Sequence, residues 1–514
     1  MTTTDPAPAV PADEPASPAA KGLEHREVVI ILLGLLTGMV LAALDGTIVA
    51  TALPTITADL GGVDSISWVV TAYMLATTVS TPLHGKLGDL YGRKRLFQAS
   101  IVIFLAGSVL CGIAGSIGQL IVFRAIQGVG GGGLMVLGQA IIADIVSPRE
   151  RGRYQGIFGA VFGGASVAGP LLGGFVTDHL SWHWVFLINL PVGIVALVAT
   201  ALVLPPSVRR ASVRIDWSGA ALLSAIATLV VLITTWGGGE YAWGDPLILG
   251  MIAAAVVLTG LFVLVERGAA EPMLPLHLFR YRTFTLACSI SVIVGAAMYS
   301  SINYLPVFLQ TVTGSSATDS GFLITPQMLG MIAASYVTGT LISRTGRYRR
   351  FPIIGMGVLT GASLLLTTLQ GSSGPLVVGA MMVVFGVGLG LTMQVMVLAT
   401  QNEVPAAHLG TATSSVNFFR TIGGSIGVSL IGSMFASRLA SGIVGIPGVD
   451  GTLDPAEVQD LPEASRVAYV DAFADALSGA YWYLVPAALL ALGLALLLRE
   501  QQLRTTTHHA AALD

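Results

Sequence analysis

Charge is what this chain has least of. Only 10% of its 514 residues are Asp, Glu, Lys or Arg, against about 25% in an ordinary soluble domain. With 54% apolar residues and a mean hydropathy of +0.80, too little polar surface remains to cover a globule in water. The solvent for most of the chain is expected to be a bilayer. Lysine is nearly missing, 3 against 22 arginines, and the net charge is −3. No basic domain exists to make a phosphate footprint, which excludes a nucleic-acid partner. Cysteine is as scarce: Cys111 and Cys288, both inside apolar runs. That excludes a disulfide framework and a CxxC site, and both read as small buried apolar side chains. No nucleophile–base set or metal cluster is legible, and His508-His509 is too short a tract for a metal site. An enzyme is not expected, nor is a cofactor or a metal. The first 20 residues are Pro- and Ala-rich, with Asp5, Asp13 and Glu14 but no basic residue. They read as a disordered tail rather than a signal peptide, whose start is basic.

What the chain has in quantity is long apolar runs. A spanning helix needs about 20 mostly apolar residues. Fourteen runs qualify: 28–51, 66–85, 96–116, 119–142, 153–176, 184–204, 217–236, 246–266, 283–310, 318–342, 351–369, 375–400, 411–436 and 479–498. Lys and Arg concentrate in short cytoplasmic loops of membrane proteins. With the N-terminus inside, 21 of the 25 basic residues fall in the tails or in the loops after spans 2, 4, 6, 8 and 10. Only Arg438 and Arg466 fall outside, and Arg124 and Arg420 stay within the membrane. An even number of spans then puts both termini in the cytoplasm.

The chain also repeats itself. Gly85, Leu87, Gly92 and the basic cluster Arg93–Arg95 after span 2 recur as Gly339, Leu341, Gly346 and Arg347–Arg350 after span 10, 254 residues later. Spans 1–6 therefore map onto spans 9–14, with spans 7 and 8 inserted. Two six-span halves of like orientation form the parallel repeat of a rocker-type transporter, whose substrate site lies between them. The expected organisation is a cytoplasmic tail (1–27), an N-terminal bundle (28–204), an inserted pair (205–282), a C-terminal bundle (283–498) and a second tail (499–514). The outer loop 437–478 is acidic, with Asp454, Glu457, Asp460, Glu463, Asp471 and Asp475 among its residues. Part of it, 462–477, reads as a short amphipathic helix, and the loop is either a linker or a lid over the outer vestibule.

Asp45 in span 1 is the leading candidate for chemistry. A carboxylate in the bilayer is costly and should face a cavity or a partner. Burial disfavours a carboxylate's charged form and a nearby cation favours it, so such a group can be poised to load and release a proton. At 1.5 Å per residue, Asp45 and Arg124 both sit roughly 9–10 Å below the outer surface. Equal depth permits a pair. The loop Gly85, Asp89, Gly92, Arg93 reads as a gate. Its glycines allow a tight turn, and Asp89 can pair with Arg93 or with a basic residue of the other half. The second copy has Ser343 where Asp89 stands, so a charge lock would be asymmetric. Gly156, Gly169, Pro170, Gly173 and Gly174 along span 5 suit close helix approach and a bend. Gly128, Gly130 and Gly133 fit a GxGxxG expression, but no strand precedes them, so close helix packing is the better reading. Tyr299, Asn303 and Tyr304 in span 9, and Met393, Gln394 and Met396 in span 12, are cavity candidates, because aromatics and methionine suit loosely specified ligands. Arg420 in span 13 is deep and needs a partner or water.

The segments Leu44–Pro54, Gly85–Arg95, Arg124–Gly128 and Gly169–Gly174 resemble signatures of the major facilitator superfamily. The first of them, with fourteen spans and the run Trp182–Pro191, is similar to the 14-helix drug:proton antiporters. The resemblance covers nearly the whole chain; Ala165, at a position usually Gly, is a mild departure. It implies the major facilitator fold and proton-driven export of lipophilic, often cationic compounds. It also implies that Arg124 takes part in proton coupling and that the span-5 glycine–proline signature marks an exporter. A dedicated exporter of a lipid, a siderophore or a self-made antibiotic uses the same machine with another cavity. A non-transporting sensor would need an output domain, and none lies between the spans. The arginine, alanine and glycine content points to a high-GC bacterium and its cytoplasmic membrane. The partners expected are protons, an amphipathic small molecule and the bilayer; oligomeric state is unreadable.

Overall fold

The computed structural model describes residues 25–61, 65–204, 215–238, 240–313, 320–449, 451–501 and 503. Most of the expected tails lie outside these residues, as do Arg209, Arg210 and Arg214. The described residues form α1 (His25–Leu60), α2 (Ile66–Tyr91), α3 (Arg93–Gly112), α4 (Ile117–Ile145), α5 (Pro148–His179), α6 (His183–Leu187), α7 (Asn189–Val203), α8 (Trp217–Trp236) and α9 (Pro246–Gly268). They continue as α10 (Arg282–Thr313), α11 (Ser320–Thr345), α12 (Arg350–Leu366), α13 (Pro375–Glu403), α14 (Leu409–Gly442), α15 (Pro455–Gln459), α16 (Glu463–Tyr481) and α17 (Leu484–Leu496).

Each of the fourteen apolar runs is helical, because only internal hydrogen bonding satisfies the backbone in lipid. Twelve helices are long and apolar enough to cross a membrane. The two runs outside that number are α11, which is long but carries many polar residues, and α12, which is apolar but only 17 residues long. Ends are set by familiar caps. Ser116 accepts from Gln119 N at the start of α4, Asp216 from Gly219 N at α8, and Asp245 from Leu247 N at α9.

Burial separates a packed interior from a lipid-facing rim. The most apolar stretch of α4 is 61% buried, that of α9 only 17%. The pair α8–α9 is thus peripheral. It leans on α2 and α14, with Trp68 of α2 edge-on to Trp236 of α8, ring centroids 5.9 Å apart. Within the first set of helices, α4 packs on α2 and α3, and α1 on α5 and α7. Within the second, α14 packs on α10, and α13 on α11 and α12. The sets meet where α2 packs on α14 and α5 on α11.

The expected amphipathic helix at 462–477 exists but runs on to Tyr481, almost continuous with α17. Its Tyr469, Phe473, Ala474 and Leu477 are buried. Phe473 packs edge-on against Phe435 of α14, ring centroids 4.8 Å apart. The segment is therefore packed structure and not a simple linker.

Candidate functional site

Asp45 and Arg124 meet. Arg124 Nη1 donates to Asp45 Oδ2 at 2.6 Å, and both side chains are at most 1% exposed. Gln127 Nε2 and Asn189 Nδ2 also donate to Asp45 Oδ1, at 2.7 and 3.1 Å. Arg124 further donates to Gln127 Oε1 and to the Val69 carbonyl, and lies 4.1 Å over the Tyr73 ring. Every charge here is buried with a partner, which is how an ion pair survives in a medium of low dielectric. Sequence reasoning found the pair but missed Gln127 and Asn189. Both lie inside the quoted segments, and their amides were the available signal.

The span-5 glycines face α1 beside this pair. A Cβ at Gly169 would collide with Thr47 Oγ1, and one at Gly173 with Thr51 Oγ1 and Ile48 O. Thr47 Oγ1 also donates to the Ala165 carbonyl at 3.3 Å. Pro170 lies inside α5, and the Gly174 carbonyl accepts from Thr177 Oγ1. The other face of α5 carries Gly152, Gly156, Gly159 and Gly163 against α11, where Ser335, Gly339 and Ile332 leave no room for side chains. One helix thus touches the Asp45 segment on one face and the second bundle on the other.

The expected gate loop lies between the two sets of helices. Asp89 is paired with Arg93 Nη2 at 2.6 Å, and Arg93 also contacts Asp144 of α4. Its other partner is not a basic residue but a helix end. Gly410 N, Thr411 N and Thr411 Oγ1 donate to Asp89 at 2.9, 2.8 and 2.9 Å, which puts a carboxylate on the positive end of α14. Gly85 permits this approach, since a Cβ there would strike Ser414 and Gly410 O. Gly92 turns the chain with φ +95°, and its counterpart Gly346 with φ +69°, a region open to glycine. Neighbouring bonds close the same end. Arg149 donates to the Ser343 and Arg344 carbonyls at 2.9 and 2.6 Å, Arg151 to Gln401 O, and Asn417 to Gln139 Oε1 at 3.0 Å. Lys86, its side chain only 3% exposed, pairs with Glu271 of the α9–α10 connection at 2.7 Å. That contact ties the connection after α9 to the end of α2 and left no trace in sequence periodicity.

The cavity candidates separate. Met393 and Met396 are buried in the apolar core of the second set. Tyr304 donates to the Val428 carbonyl at 3.1 Å within that set. Gln394 borders α5 at Gly159. Tyr299 lies against Gly424 of α14, Asn303 is exposed and donates to the Tyr299 carbonyl, and Arg420 is half-buried beside Asn417.

A family model described as Major Facilitator Superfamily matches residues 35–428. Multidrug resistance protein 3 of Bacillus subtilis is 36% identical over 477 residues, covering 90% of this chain and 93% of that one. Multidrug transporter protein MdtP of the same species is 40% identical over 409 residues, 80% of this chain and 75% of that one. The proton:xylose symporter XylE shares the fold, with a TM-score of 0.65 over 96% of this chain and 100% of that one at 14% identity. Matched along most of its length by the family model and by these relatives, the chain belongs to the Major Facilitator Superfamily, whose members are multi-span membrane transporters and not enzymes.

Proposed function

We propose that the protein is a proton-coupled exporter of lipophilic compounds that works by alternating access in a bacterial cytoplasmic membrane. Its fourteen helical runs act as spans, with both termini in the cytoplasm, as two six-helix halves and an inserted pair. The repeat supports this organisation: helix 2 of each half packs on helix 5 of the other, α2 on α14 and α11 on α5. The names of the two Bacillus relatives, a multidrug transporter and a multidrug resistance protein, support transport of varied drugs.

The observation that carries the coupling is the Asp45–Arg124 pair, buried within the first half and not open to lipid. With basic loops inside, the closed end of the molecule is the cytoplasmic one. Asp45 is then paired with Arg124 in a conformer shut toward the cytoplasm, the state that awaits a proton from outside. A proton on Asp45 removes one charge of the pair and leaves Arg124, Gln127 and Asn189 to reorganise. α1 moves with Asp45 and presses on α5 through Thr47 and Thr51. α5 transmits the shift to α11 through its second glycine face. The Asp89–α14 contact then yields, the cytoplasmic side opens, the proton leaves and substrate enters. Return of the ionised pair closes the gate behind the substrate.

The test is flux in proteoliposomes with an imposed pH gradient, comparing the natural chain with Asp45→Asn. The expected result is loss of uphill export with exchange of substrate at equal pH retained. Uphill export at the natural rate by the variant would end the coupling role.

A further inference from the structure

Two arginines lie deep in spanning helices, and only one has its charge met. Arg124 has a carboxylate, an amide, a carbonyl and an aromatic face around it. Arg420 lies eleven residues into the 34-residue α14, roughly 16 Å from its start at 1.5 Å per residue. Its Nη2 donates to Asn417 Oδ1, a neutral acceptor. Its Nη1 is buried and has no hydrogen-bond partner among the described residues. No carboxylate among the described residues is bonded to it, and the acids of α16, Glu463, Asp471 and Asp475, lie toward the far end of α14, where Ala472 meets Gly442 and Gly479 meets Arg438. Helices α10, α11, α12 and α14 contain no Asp or Glu, and α13 has only Glu403, at its last position. Guanidinium does not lose its proton in proteins, so the charge cannot be shed.

The surroundings face the junction of the halves. Asn417, which holds Arg420, also donates to Gln139 of α4 across that junction. The Tyr299 ring lies against Gly424, one turn along the same helix, and the exposed Asn303 follows one turn along α10. An unmet cation beside an aromatic ring and neutral amides lacks one thing, an anion.

We infer that Arg420 recognises an anionic group on the transported compound, which makes the substrate class amphipathic acids bearing a carboxylate, phosphate or sulfonate. This rests on the export reading for its direction but not for its chemistry. Arg is suited to the task because its planar fork binds such groups through paired, charge-assisted hydrogen bonds. A site built around an unmet charge rejects the analogue that lacks the counter-charge, because its own polar group is then left unpaired.

The probes are a dansylated long-chain amino acid and its methyl ester, which share a body and differ by one charge. Binding to the purified full chain in detergent is read by dansyl fluorescence, with no gradient present. The natural chain is expected to bind the acid at least about tenfold more tightly than the ester. Arg420→Gln should bring the acid down to the ester's affinity and leave the ester unchanged, while Arg420→Lys should keep part of the preference. Asn417→Asp supplies an internal counter-anion and should abolish the preference with Arg420 in place. Displacement of the dansyl acid by phosphatidate or by a soluble aryl carboxylate tells whether a lipid or a soluble acid is taken; either displacement supports the site. Equal affinity of the natural chain for acid and ester overturns the inference, whatever the variants do. So does a preference that persists in Arg420→Gln or in Asn417→Asp. Because binding is read without a gradient, intact preference with no uphill flux counts against proton coupling alone.

Discussion

The two copies of the gate loop build the same turn and arm it differently. In both, the outer glycine sits where two helices touch, Gly85 on Gly410 and Gly339 on Gly152. In both, the inner glycine turns the chain with positive φ. The first copy then places a carboxylate, Asp89, on the N-terminus of α14, with Arg93 and Asp144 behind it. The second copy has no acid. Instead Arg149 of α5 reaches to the carbonyls that end α11. Both arrangements satisfy a helix dipole, with opposite charges at opposite ends. They differ in burial: the Asp89 side chain is 2% exposed, whereas the Arg149–Arg344 bond is open to solvent. A buried ionic contact is screened little and an exposed one a great deal. Closure is therefore expected to depend chiefly on the first copy.

The largest effect is expected from the charge pair proposed to drive the gate. Asp45→Asn should abolish uphill flux and, by leaving Arg124 buried without its acid, destabilise the protein by about 3–5 kcal/mol, read as a fall in unfolding temperature. Adding Arg124→Gln should restore much of that stability and none of the flux; recovered flux would detach the pair from coupling. Next is the shared glycine geometry. Gly85→Val and Gly339→Val each force a side chain into the facing helix, and each should lower transport about tenfold, since overpacking costs about 1–3 kcal/mol. A difference between the two would show that the copies are unequal even in packing. Asp89→Asn removes the ionic lock at about 1.5–3 kcal/mol. It should raise alkylation of a cysteine placed at Gln401 about tenfold. Arg149→Gln should raise the same signal less than about fivefold, at roughly 0.5–1 kcal/mol, and high salt should bring the natural chain to the level of Arg149→Gln while leaving the Asp89→Asn effect in place. An equal response to both variants would refute the asymmetry. The smallest effect should come from Ser343→Asp, which sets an acid by Arg149 and lowers the alkylation rate slightly.

Much of this molecule is legible in local pattern. Apolar runs of the length of a bilayer place fourteen helices, but not all of their ends: α1 continues past its run, which stops at 51, to Leu60, and α16 starts at Glu463 while its apolar run begins at 479. The helix expected over 462–477 in the acidic outer loop is there, but its burial was not legible: Tyr469, Phe473 and Leu477 carry a buried face. Asp45 and Arg124 stood out because charges are rare in lipid, and equal depth was enough to suggest that they meet. The partner of Asp89 did not stand out. It is a backbone N–H pair more than 320 residues away, and every non-proline residue has a backbone N–H, so no side chain marks it.

The sequence by itself determined that the chain lives in a bilayer, that it is helical, that one loop pattern recurs later in the chain and which few charges are costly enough to matter. These follow from transfer free energies and backbone hydrogen bonding, which act residue by residue along the chain. The tertiary structure alone decided which charges are met and by what: Gln127 and Asn189 around Asp45, Glu271 on Lys86, a helix end for Asp89 and no anion for Arg420. Such pairings depend on how helices far apart in sequence approach one another, a property of their packing that no single run of residues carries.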